Sequence, residues 1–421
     1  MKLLNSNSPQ AQSLLAELEN RGATSTASVE PLVKKIIAAI RKQGDPALLD
    51  YAKQFDSLTA KQTIKVSEEE MEQAWKATPP KLKAALKEAA ANIHAFAEAQ
   101  MPEDWILEPA TGVRAGQIIR PLGAVGCYVP GGRYPLPSTL LMTAIPAQVA
   151  GVQRIVVCSP KPAPETLAAA HLAGITDFYR IGGAQAIAAL AYGTQTIAPV
   201  NKIVGPGNLY VTAAKQLVSR DCAIDMPAGP TEIVITSNLI PAINIASDLV
   251  AQAEHDPETL AIFITTSNTL AKEVLAQTKK LAAKNPIAKK SLAARGTIFL
   301  CETPEQTYEL TNRLAPEHLT IDAPEDLDWV RNAGSVFIGP HSAQSLGDYI
   351  SGPNHVLPTG RTARTRGGLS VLDFIKLITV QQYTAKGLAK LGPHTVLLAR
   401  AEGLTAHAQS VELRLKTKSA K

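Results

Sequence analysis

From about Gly123 onward, short apolar segments rich in β-branched residues alternate with alanine-rich segments, and this alternation constrains the fold more than any other feature of the chain. The apolar segments predict strands at residues 125–129, 154–158, 178–181, 232–235, 261–265, 297–300, 319–321 and 336–338. Helices are predicted between most of them, at residues 139–149, 184–192, 245–254 and 270–281. Such alternation is typical of α/β folds with mainly parallel sheets. Many of the strands are apolar throughout, as expected when helices cover both faces of a sheet.

The first third of the chain carries helix signals instead. An apolar run with helical spacing ends near Gly44, and Asp45-Pro46 restarts a helix with a cap followed by proline. The segment Ser67-Glu68-Glu69-Glu70 has the form of a capping box and predicts a third helix. The last fifty residues are predicted to be mixed helix and coil with little strand signal.

Composition excludes several classes of protein. With 421 residues, 45% of them hydrophobic and 19% charged, the chain is predicted to be globular and to form two or more domains. The net charge of +5 is small for this length, and no basic stripe interleaved with aromatic residues is present, so a nucleic-acid partner is not expected. The N-terminus has no apolar signal region and no apolar stretch is long enough to span a bilayer, so no membrane partner is expected.

The cysteines Cys127, Cys158, Cys222 and Cys301 are far apart, and each lies in or beside an apolar run. They predict buried, small hydrophobic side chains. Unpaired cysteines indicate a reducing compartment, so a cytoplasmic location is expected. Because the cysteines show no paired spacing, nitrogen and oxygen atoms must hold any bound metal, which favours a catalytic site over a structural one.

Glycine-rich turns follow several predicted strands. They are Pro130-Gly131-Gly132, Gly182-Gly183 and Gly205-Pro206-Gly207-Asn208. In open α/β sheets, ligands bind beyond the carboxyl ends of the strands, where such turns lead into helices. Gly182-Gly183 is well placed to approach a phosphate, although each motif is also compatible with a simple tight turn. No Gly-x-Gly-x-x-Gly motif occurs, so any nucleotide site is not the usual dinucleotide one.

Gln252 and His255 are candidate metal ligands. Ile245, Leu249 and Gln252 share one face of a predicted helix, so Gln252 occupies a position where an apolar residue would continue the core. His255 is predicted to lie on the same face in the last turn, where the helix dipole favours a cation. A hydrogen-bonded pair at a helix end is the alternative interpretation.

Glu317 and His318 lie at the start of a predicted strand, in the segment Pro316-Glu317-His318-Leu319. Histidine is the usual base near neutral pH, and a neighbouring glutamate can activate water. Adjacent strand residues point to opposite faces, so both can serve one site only if the Pro316 turn breaks the alternation. A solvated polar turn is the competing interpretation.

Two further segments pair an acid with a histidine. Asp348 and His355 bound a loop rich in glycine and proline, and Glu402 and His407 lie near the C-terminus. Loops on rigid scaffolds often carry functional residues. Either segment alone would be weak evidence for a functional site. For Glu402 and His407 two alternatives stay open, because a chain terminus either reaches a site on another subunit or frays.

Taken together, these motifs resemble the histidinol dehydrogenase family, and they do so in order over essentially the whole chain. The residues that carry the resemblance are Tyr128-Val129-Pro130-Gly131-Gly132, Gly183-Ala184-Gln185-Ala186-Ile187-Ala188-Ala189-Leu190, Gly205-Pro206-Gly207-Asn208, Ala228-Gly229-Pro230-Thr231-Glu232, Gln252-Ala253-Glu254-His255, Ala315-Pro316-Glu317-His318-Leu319, Asn354-His355-Val356-Leu357-Pro358-Thr359 and the segment from Glu402 to His407.

The resemblance implies oxidation of L-histidinol to L-histidine through the aldehyde, with NAD as the oxidant and one zinc ion per subunit. By position it assigns the metal ligands Gln252, His255, Asp348 and His407, which together with His318 would also contact substrate. It assigns Glu317 and His318 to acid/base catalysis, Thr231, His355 and Glu402 to substrate, and Tyr128, Gln185 and Asn208 to NAD. Thr231 stands where the family often has serine, but both residues offer a hydroxyl. The segment 363–368 is also more basic and richer in glycine than expected.

The pattern and the resemblance together predict two Rossmann-like, mainly parallel α/β/α domains with small N- and C-terminal helical segments. The predicted boundaries are an N-terminal helical arm at 1–23, a discontinuous main domain at 24–125 and 233–368, an NAD-side domain at 126–232, and a C-terminal segment at 369–421. The resemblance implies a homodimer in which the C-terminal segment completes the partner's site.

Our mechanistic hypothesis divides the work between two residues. His318 takes the hydroxyl proton as hydride leaves for NAD, and Glu317 activates the water that hydrates the aldehyde. Zinc orients the substrate. A zinc hydrolase and a catalytically inactive metal-binding homologue remain as alternatives, whereas cysteine-based aldehyde oxidation is disfavoured because no cysteine has a nucleophile setting.

Overall fold

The structure, a computed structural model, describes residues 1–21, 26–59, 62–131, 135–227 and 229–416. Gly132 and Ala228, which belong to two of the motifs above, lie outside the described residues. No helix in these ranges is long and apolar enough to cross a membrane.

The described residues form the following strands: β1 (Lys2–Asn5), β2 (Lys65–Val66), β3 (Trp105–Ala110), β4 (Val113–Pro121), β5 (Ala124–Tyr128), β6 (Arg154–Cys158), β7 (Asp177–Tyr179), β8 (Lys202–Val204), β9 (Ala223–Ile224), β10 (Glu232–Thr236), β11 (Leu260–Thr265), β12 (Thr297–Leu300), β13 (His318–Ile321), β14 (Ser335–Ile338) and β15 (Ile375–Tyr383). The helices are α1 (Pro9–Glu19), α2 (Glu30–Gln43), α3 (Asp45–Phe55), α4 (Glu68–Ala77), α5 (Pro80–Ala99), α6 (Pro137–Val149), α7 (Pro164–Leu172), α8 (Gly183–Tyr192), α9 (Leu209–Val218), α10 (Ala242–Ala253), α11 (Asn268–Ala282), α12 (Pro286–Arg295), α13 (Pro304–Leu314), α14 (Gln344–Tyr349), α15 (Ala385–Ala401) and α16 (Thr405–Lys416).

Two six-stranded sheets organise most of the chain. The first sheet has the order β1-β12-β11-β10-β13-β14 and is parallel throughout. The second has the order β2-β7-β6-β5-β8-β9 and is parallel except for the pairing of β2 with β7. The predicted α/β class with mainly parallel sheets is confirmed.

The first sheet is covered on both faces, as its apolar strands predict. Along β10, Val234 packs into a core with α1 and α13, while Ile233 and Ile235 pack into another with α10, α11 and α12. One face of the second sheet packs against a core that includes residues of α2, α3, α8 and α9. The alternation of strand side chains thus builds a separate apolar core on each face of the first sheet.

The chain divides into two compact units. The first comprises Met1–Gln100 and Leu122–Phe374, and contains both six-stranded sheets. The second comprises Met101–Pro121 and Ile375–Lys421, and contains an antiparallel sheet of order β15-β4-β3 together with α15 and α16. The domain boundaries proposed from the sequence stay a prediction.

The strands predicted from Gly123 onward are found close to their predicted positions, and Gly44 and Ser67 mark helix boundaries as expected. The prediction of little strand in the C-terminal segment is wrong, because β15 pairs with β4 from Ile375↔Pro121 to Tyr383↔Val113. The mainly helical assignment of the first third likewise missed β1, β2, β3 and β4. These strands lie outside the strand-helix alternation, and all of β15 except Ile375 is exposed.

Candidate active site

A polar pocket of about 280 Å³ in the first unit collects most of the candidate residues. We call it the polar pocket. Its lining consists of Pro130, Leu136, Ser138, Thr139, Pro206, Gly207, Thr231, Gln252, His255, Glu317, His318, Asp348, Tyr349 and His355. Residues separated by more than two hundred positions in sequence therefore meet in one cavity.

The amino edge of the first sheet builds the pocket. Thr231 directly precedes β10, Glu317 directly precedes β13, and the register pairs Ile233 with His318, so these strand starts are neighbours. Helix α10 follows β10 and returns along the parallel sheet, which brings Gln252, in its last turn, back to the same edge. Sheet topology therefore explains why these distant segments converge.

A sharp turn allows Glu317 and His318 to share one pocket. Helix α13 ends at Leu314, and the residue that caps it, Ala315, adopts a left-handed conformation with φ of 46°. Glu317 lies before the regular part of β13, and its Oε2 is 3.6 Å from Nδ1 of His318. Adjacent residues of a regular strand point to opposite faces, but Glu317 lies before that regular part, so its side chain can reach the same pocket as His318. The sequence predicted that a shared site requires such a break at the Pro316 turn.

Glu317 is a buried carboxylate with a fixed orientation. It is 6% exposed, and its Oε2 accepts hydrogen bonds from the Thr231 hydroxyl at 2.5 Å and from the Glu232 N–H at 2.7 Å. Hydrogen bonds to an ionised acceptor are stronger than neutral ones. Because both bonds use Oε2, Oε1 is left for other partners, which suits a group that must accept a proton.

His318 lies between two carboxylates. Its Nδ1 is 3.2 Å from the Glu232 carbonyl oxygen, to which it donates because a carbonyl can only accept, and 3.3 Å from Nε2 of Gln252. Its buried Nε2 makes no hydrogen bond within the described residues and lies 3.5 Å from Oδ1 of Asp348. Burial disfavours the charged imidazole, but the carboxylates of Glu317 and Asp348 outweigh burial and raise the pKa of His318 to about 10.

Asp348 and His355 are linked to each other. His355 donates from Nδ1 to the backbone oxygen of Asp348 at 2.7 Å, and its Nε2 lies 3.2 Å from the Thr139 hydroxyl. Burial lowers the pKa of His355, with only partial opposition from the Asp348 charge, which favours the neutral ring. Burial also disfavours the Asp348 carboxylate, but the neighbouring His318 outweighs this effect, so the pKa of Asp348 is lowered. The pocket therefore holds a neutral imidazole beside an ionised carboxylate.

The predicted metal ligands are only partly brought together. Gln252, His255 and Asp348 line the polar pocket, and the Gln252 amide donates from Nε2 to the Thr231 hydroxyl, which leaves its Oε1 for a cation. The expectation that His255 lies in the last helical turn is wrong, because α10 ends at Ala253 and His255 is exposed just beyond it. Within the described ranges, no group of three or more His, Cys, Asp or Glu side chains could hold a metal ion.

Glu402 and His407 lie in the second unit and are not among the residues that line the polar pocket. Glu402 follows the last residue of α15, and His407 lies in α16. Both side chains are exposed. The donor set in the first unit is thus an amide oxygen, an imidazole and a carboxylate, which suits a divalent cation such as zinc and lacks one ligand of a tetrahedral site.

A second cavity, of about 480 Å³, contains the residues assigned to NAD. We call it the Tyr128 pocket, and it is lined by Leu32, Ile36, Phe55, Asp56, Tyr128, Pro130, Gly131, Pro160, Lys161, Gly183, Ala184, Gln185, Asn208 and Tyr210. Tyr128 ends β5, Gln185 lies in α8 after β7, and Asn208 follows β8. The cavity lies at the carboxyl ends of these strands, where the strand order reverses around β5, which is the expected place for a nucleotide. Pro130 lines both pockets, so the two cavities adjoin.

Buried polar contacts fix the walls of the Tyr128 pocket. Asp56 accepts hydrogen bonds at Oδ2 from the Gly182 N–H at 3.0 Å and from Gln185 Nε2 at 3.1 Å. Burial raises the pKa of Asp56, although these two bonds oppose the effect. The Tyr128 hydroxyl accepts from the Gly183 N–H at 3.1 Å, and burial raises the pKa of that tyrosine too. These bonds orient two of the residues assigned to NAD.

The turn after β8 requires glycine. Gly205 has φ of 111°, and a Cβ added there would lie 2.1 Å from the Tyr128 carbonyl oxygen. Its N–H donates to Asp225 at 2.8 Å, and its carbonyl accepts from Lys215 at 2.9 Å. Lys215 and Asp225 form a buried ion pair, so the turn that carries Asn208 is held rigidly against β5.

Sequence reasoning missed several residues of these pockets. Asp56 gave no local signal beyond its place at the end of a helix, and its role depends on contacts with residues more than a hundred positions away. Lys161 has φ of 48°, a strained backbone conformation that only the structure reveals. Thr139 was treated only as the start of a helix, although it contacts His355.

The cysteine prediction is confirmed: Cys127, Cys158, Cys222 and Cys301 are all free and buried. Burial raises the pKa of Cys127 to about 12 and that of Cys222 to about 11, and raises the pKa values of the other two as well. These thiols therefore have little thiolate character and do not suit a nucleophilic role.

Known proteins resemble this chain over nearly its whole length. The model of the histidinol dehydrogenase family matches residues 19–415. The histidinol dehydrogenase of Methanothermobacter thermautotrophicus is 46% identical over 415 residues, which cover 96% of this chain and 97% of that protein. That of Caulobacter vibrioides is 47% identical over 408 residues, with 94% of each chain covered. The crystal structure of histidinol dehydrogenase from Elizabethkingia anophelis superposes with a TM-score of 0.93, at 38% identity, and the match covers 99% of this chain and 98% of that one.

Proposed function

The chain belongs to the histidinol dehydrogenase family of oxidoreductases, and from this premise we propose that it converts L-histidinol to L-histidine through L-histidinaldehyde in two hydride transfers to NAD. The observation that carries the proposal is the convergence of Glu317, His318, Asp348 and Gln252 in one cavity that adjoins the Tyr128 pocket. The two cavities provide neighbouring places for an alcohol and a dinucleotide.

His318 and Glu317 divide the proton transfers. In the first oxidation, Nε2 of His318 takes the hydroxyl proton while the carbinol hydrogen leaves as hydride for NAD. In the second stage Glu317 removes a proton from water as the oxygen adds to the aldehyde carbon, and protonated His318 returns its proton to the carbonyl oxygen, which gives the hydrate. The hydrate then loses a second hydride to NAD and a hydroxyl proton to His318. Each histidinol thus consumes one water and two NAD, and yields a carboxylate, two NADH and three protons. The distance of 3.6 Å between Oε2 of Glu317 and Nδ1 of His318 supports this division, because side chains this close can act on the same substrate carbon.

Gln252, His255 and Asp348 would hold a zinc ion, with His407 as the proposed fourth ligand. When bound, zinc supplies a Lewis-acidic centre that attracts the imidazole and amine nitrogens of histidinol and orients the substrate. The carboxylates of Glu317 and Asp348 together raise the pKa of His318, and a cation at Asp348 would offset the second of these charges. A lower pKa would leave His318 free to accept a proton.

Homodimer formation is part of the proposal, with Glu402 and His407 acting in the partner's site. The second unit exposes large apolar side chains on its sheet, including Trp105 at 50%, Ile106 at 53% and Leu377 at 53%. Contiguous exposed apolar groups typically mark protein interfaces. They support an association in which the second unit contacts another copy of the chain.

We also propose that the protein acts in the cytoplasm. The four cysteines are free, as expected in a reducing compartment.

Oxidation of histidinol with NAD is the direct test. The purified protein should release two NADH for each histidinol, measured by NADH absorbance and by histidine formation. His318→Ala should slow the oxidation by about 10²–10⁴-fold, since a general base is lost. His94→Ala is the matched control, because that histidine is exposed on α5 and lines neither pocket. Absence of NADH formation would refute the proposal and leave a hydrolase or an inactive homologue.

A mixture of His407→Ala and Glu317→Gln subunits tests the shared site. If His407 acts across the interface, mixed dimers contain one site with both residues intact, and activity returns on mixing. Activity no higher than that of either variant alone would count against sharing.

A further inference from the structure

We propose that the ion pair between Arg21 and Glu232 positions the Glu317–His318 pair for catalysis. Neither Arg21 nor the Glu232 carboxylate lines the polar pocket, so both would act through the residues that they hold. The inference rests on the proposed function, because it concerns the geometry of the same acid/base pair.

The backbone of Glu232 holds both members of the pair. Its N–H donates to Oε2 of Glu317 at 2.7 Å, and its carbonyl accepts from Nδ1 of His318 at 3.2 Å. A shift of this one peptide segment would therefore move the carboxylate and the imidazole together. Since Thr231 precedes Glu232 and also donates to Glu317, the same shift would disturb a third contact.

Arg21 fixes the side chain of Glu232 through two parallel bonds. Its Nε and one terminal nitrogen each lie 2.9 Å from a different oxygen of the Glu232 carboxylate. Gly360 donates a third bond, from its N–H, at 3.0 Å. Glu232 is 3% exposed, so its charge has no access to bulk water and depends on these partners. Bidentate pairing of arginine with carboxylate imposes a defined geometry as well as attraction.

The same guanidinium also contacts the segment that leads to Glu317. It donates to the carbonyl of Leu314 at 2.6 Å and to that of Leu18 at 2.7 Å. Leu314 is the last residue of α13, immediately before the turn that places Glu317 and His318. Arg21 thus joins the end of α1, the start of β10 and the end of α13. Two of these three segments determine where the catalytic side chains lie.

Loss of Arg21 would leave the buried Glu232 carboxylate without its cation. The segment around Glu232 would then relax toward water or another partner, because an unpaired buried charge is strongly unfavourable. A displacement of reacting groups by about 1 Å can cost about 100-fold in rate. The expected effect therefore falls on kcat and not on substrate affinity.

A neighbouring ion pair provides a matched control. Glu19 in α1 and Arg313 in α13 form a bond of 2.5 Å that joins the same two helices. Neither side chain contacts Glu232. Glu19→Gln therefore removes a similar link between α1 and α13 without touching the proposed positioning contacts.

The test is a double-mutant cycle on NADH formation from histidinol. Arg21→Met should lower kcat by about 10- to 100-fold and change the KM for histidinol by less than about 3-fold. In a Glu317→Gln background the same substitution should lower the steady-state rate by less than about 3-fold, because aldehyde hydration then limits that rate and no longer uses the carboxylate that Arg21 helps to position. Glu19→Gln should keep kcat within about 2-fold of the wild type, since a partly exposed ion pair contributes little.

Equal losses from Arg21→Met in both backgrounds, or an equal loss of kcat in Glu19→Gln, would overturn the inference. If Arg21→Met does not fold, Arg21→Lys serves in its place, because it keeps the charge but loses the bidentate geometry. It should give a smaller loss of kcat with the same dependence on Glu317, and independence from Glu317 would again overturn the inference. A wild-type protein that forms no NADH from histidinol would refute the proposed function itself, whereas an active wild type with additive losses would refute only the positioning role.

Discussion

Glu317→Gln separates the two stages of the reaction most cleanly. The substitution removes a carboxylate that is 6% exposed and accepts hydrogen bonds from the Thr231 hydroxyl and the Glu232 N–H. A carboxamide oxygen can accept both bonds, so the side chain can keep its orientation. Its nitrogen cannot take a proton from water. The variant therefore tests proton transfer with little change in shape.

The structure sets the size of the effect on stability. Two hydrogen bonds to a charged acceptor become bonds to a neutral one, which costs about 1 kcal/mol each. The lower cost of burying a neutral amide offsets part of this loss. The rate of aldehyde hydration should fall by about 10²–10⁴-fold, which corresponds to about 3–5 kcal/mol in the barrier. The loss of activity should therefore exceed any loss of folding stability.

A single-turnover experiment with excess NAD resolves the stages. Glu317→Gln should form the first NADH at close to the wild-type rate and the second one slowly, so a burst precedes the slow phase. His318→Ala should slow the first NADH as well, because it removes the base that acts on the alcohol. If Glu317→Gln slows only the first NADH, or if His318→Ala leaves it unchanged, the assignment of the two residues is wrong.

Three other variants test separate parts of the site. Asp348→Asn should lower both the zinc content, measured by metal analysis, and the rate of NADH formation. In the wild type, a chelator should abolish NADH formation and added zinc should restore it. A wild-type zinc content in the variant would argue against Asp348 as a ligand. Asp56→Ala should raise the KM for NAD by about 10-fold, because Asp56 holds Gly182 and Gln185 in place, and an unchanged KM would exclude this role. Burial raises the pKa of Asp248 to about 6, so its burial costs stability increasingly as the pH rises from the unfolded value of 3.8 through 6. Asp248→Asn should therefore raise Tm at about pH 7.5 more than at about pH 5, and a pH-independent difference in Tm would contradict this account.

The buried parallel strands could be predicted because their local sequence reflects their surroundings. A strand such as β11 is buried along its whole length, so it forms an apolar run between helices. By contrast, β3 is almost entirely exposed and β15 pairs with β4 from a distant part of the chain. The local signal for β15 consists of the β-branched residues Ile375, Ile378, Thr379 and Val380, and exposure weakens such a signal.

The two pockets differ in how far general rules could locate them. The Tyr128 pocket lies at the carboxyl ends of parallel strands, where the glycine turns after β5 and β8 indicated a ligand site. The polar pocket lies at the opposite, amino edge of the first sheet, where no such rule applies. Thr231 could be assigned only through the resemblance, whereas Glu317 was a candidate because it lies next to His318. Their meeting depends on the pairing of β10 with β13, which local sequence does not specify.

The metal site is the part that one chain's sequence and fold determine least. Local patterns proposed Gln252 and Asp348 separately, and folding of the first unit brings them to one cavity with His255. A neutral amide, an imidazole and one carboxylate make a modest site for a divalent cation, because only one ligand carries charge. If His407 of a second subunit completes the site, metal binding stabilises the dimer and dimer formation strengthens metal binding, since both belong to one thermodynamic cycle. Metal affinity is then a property of the assembly, and a helical pattern within α10 could not have revealed it.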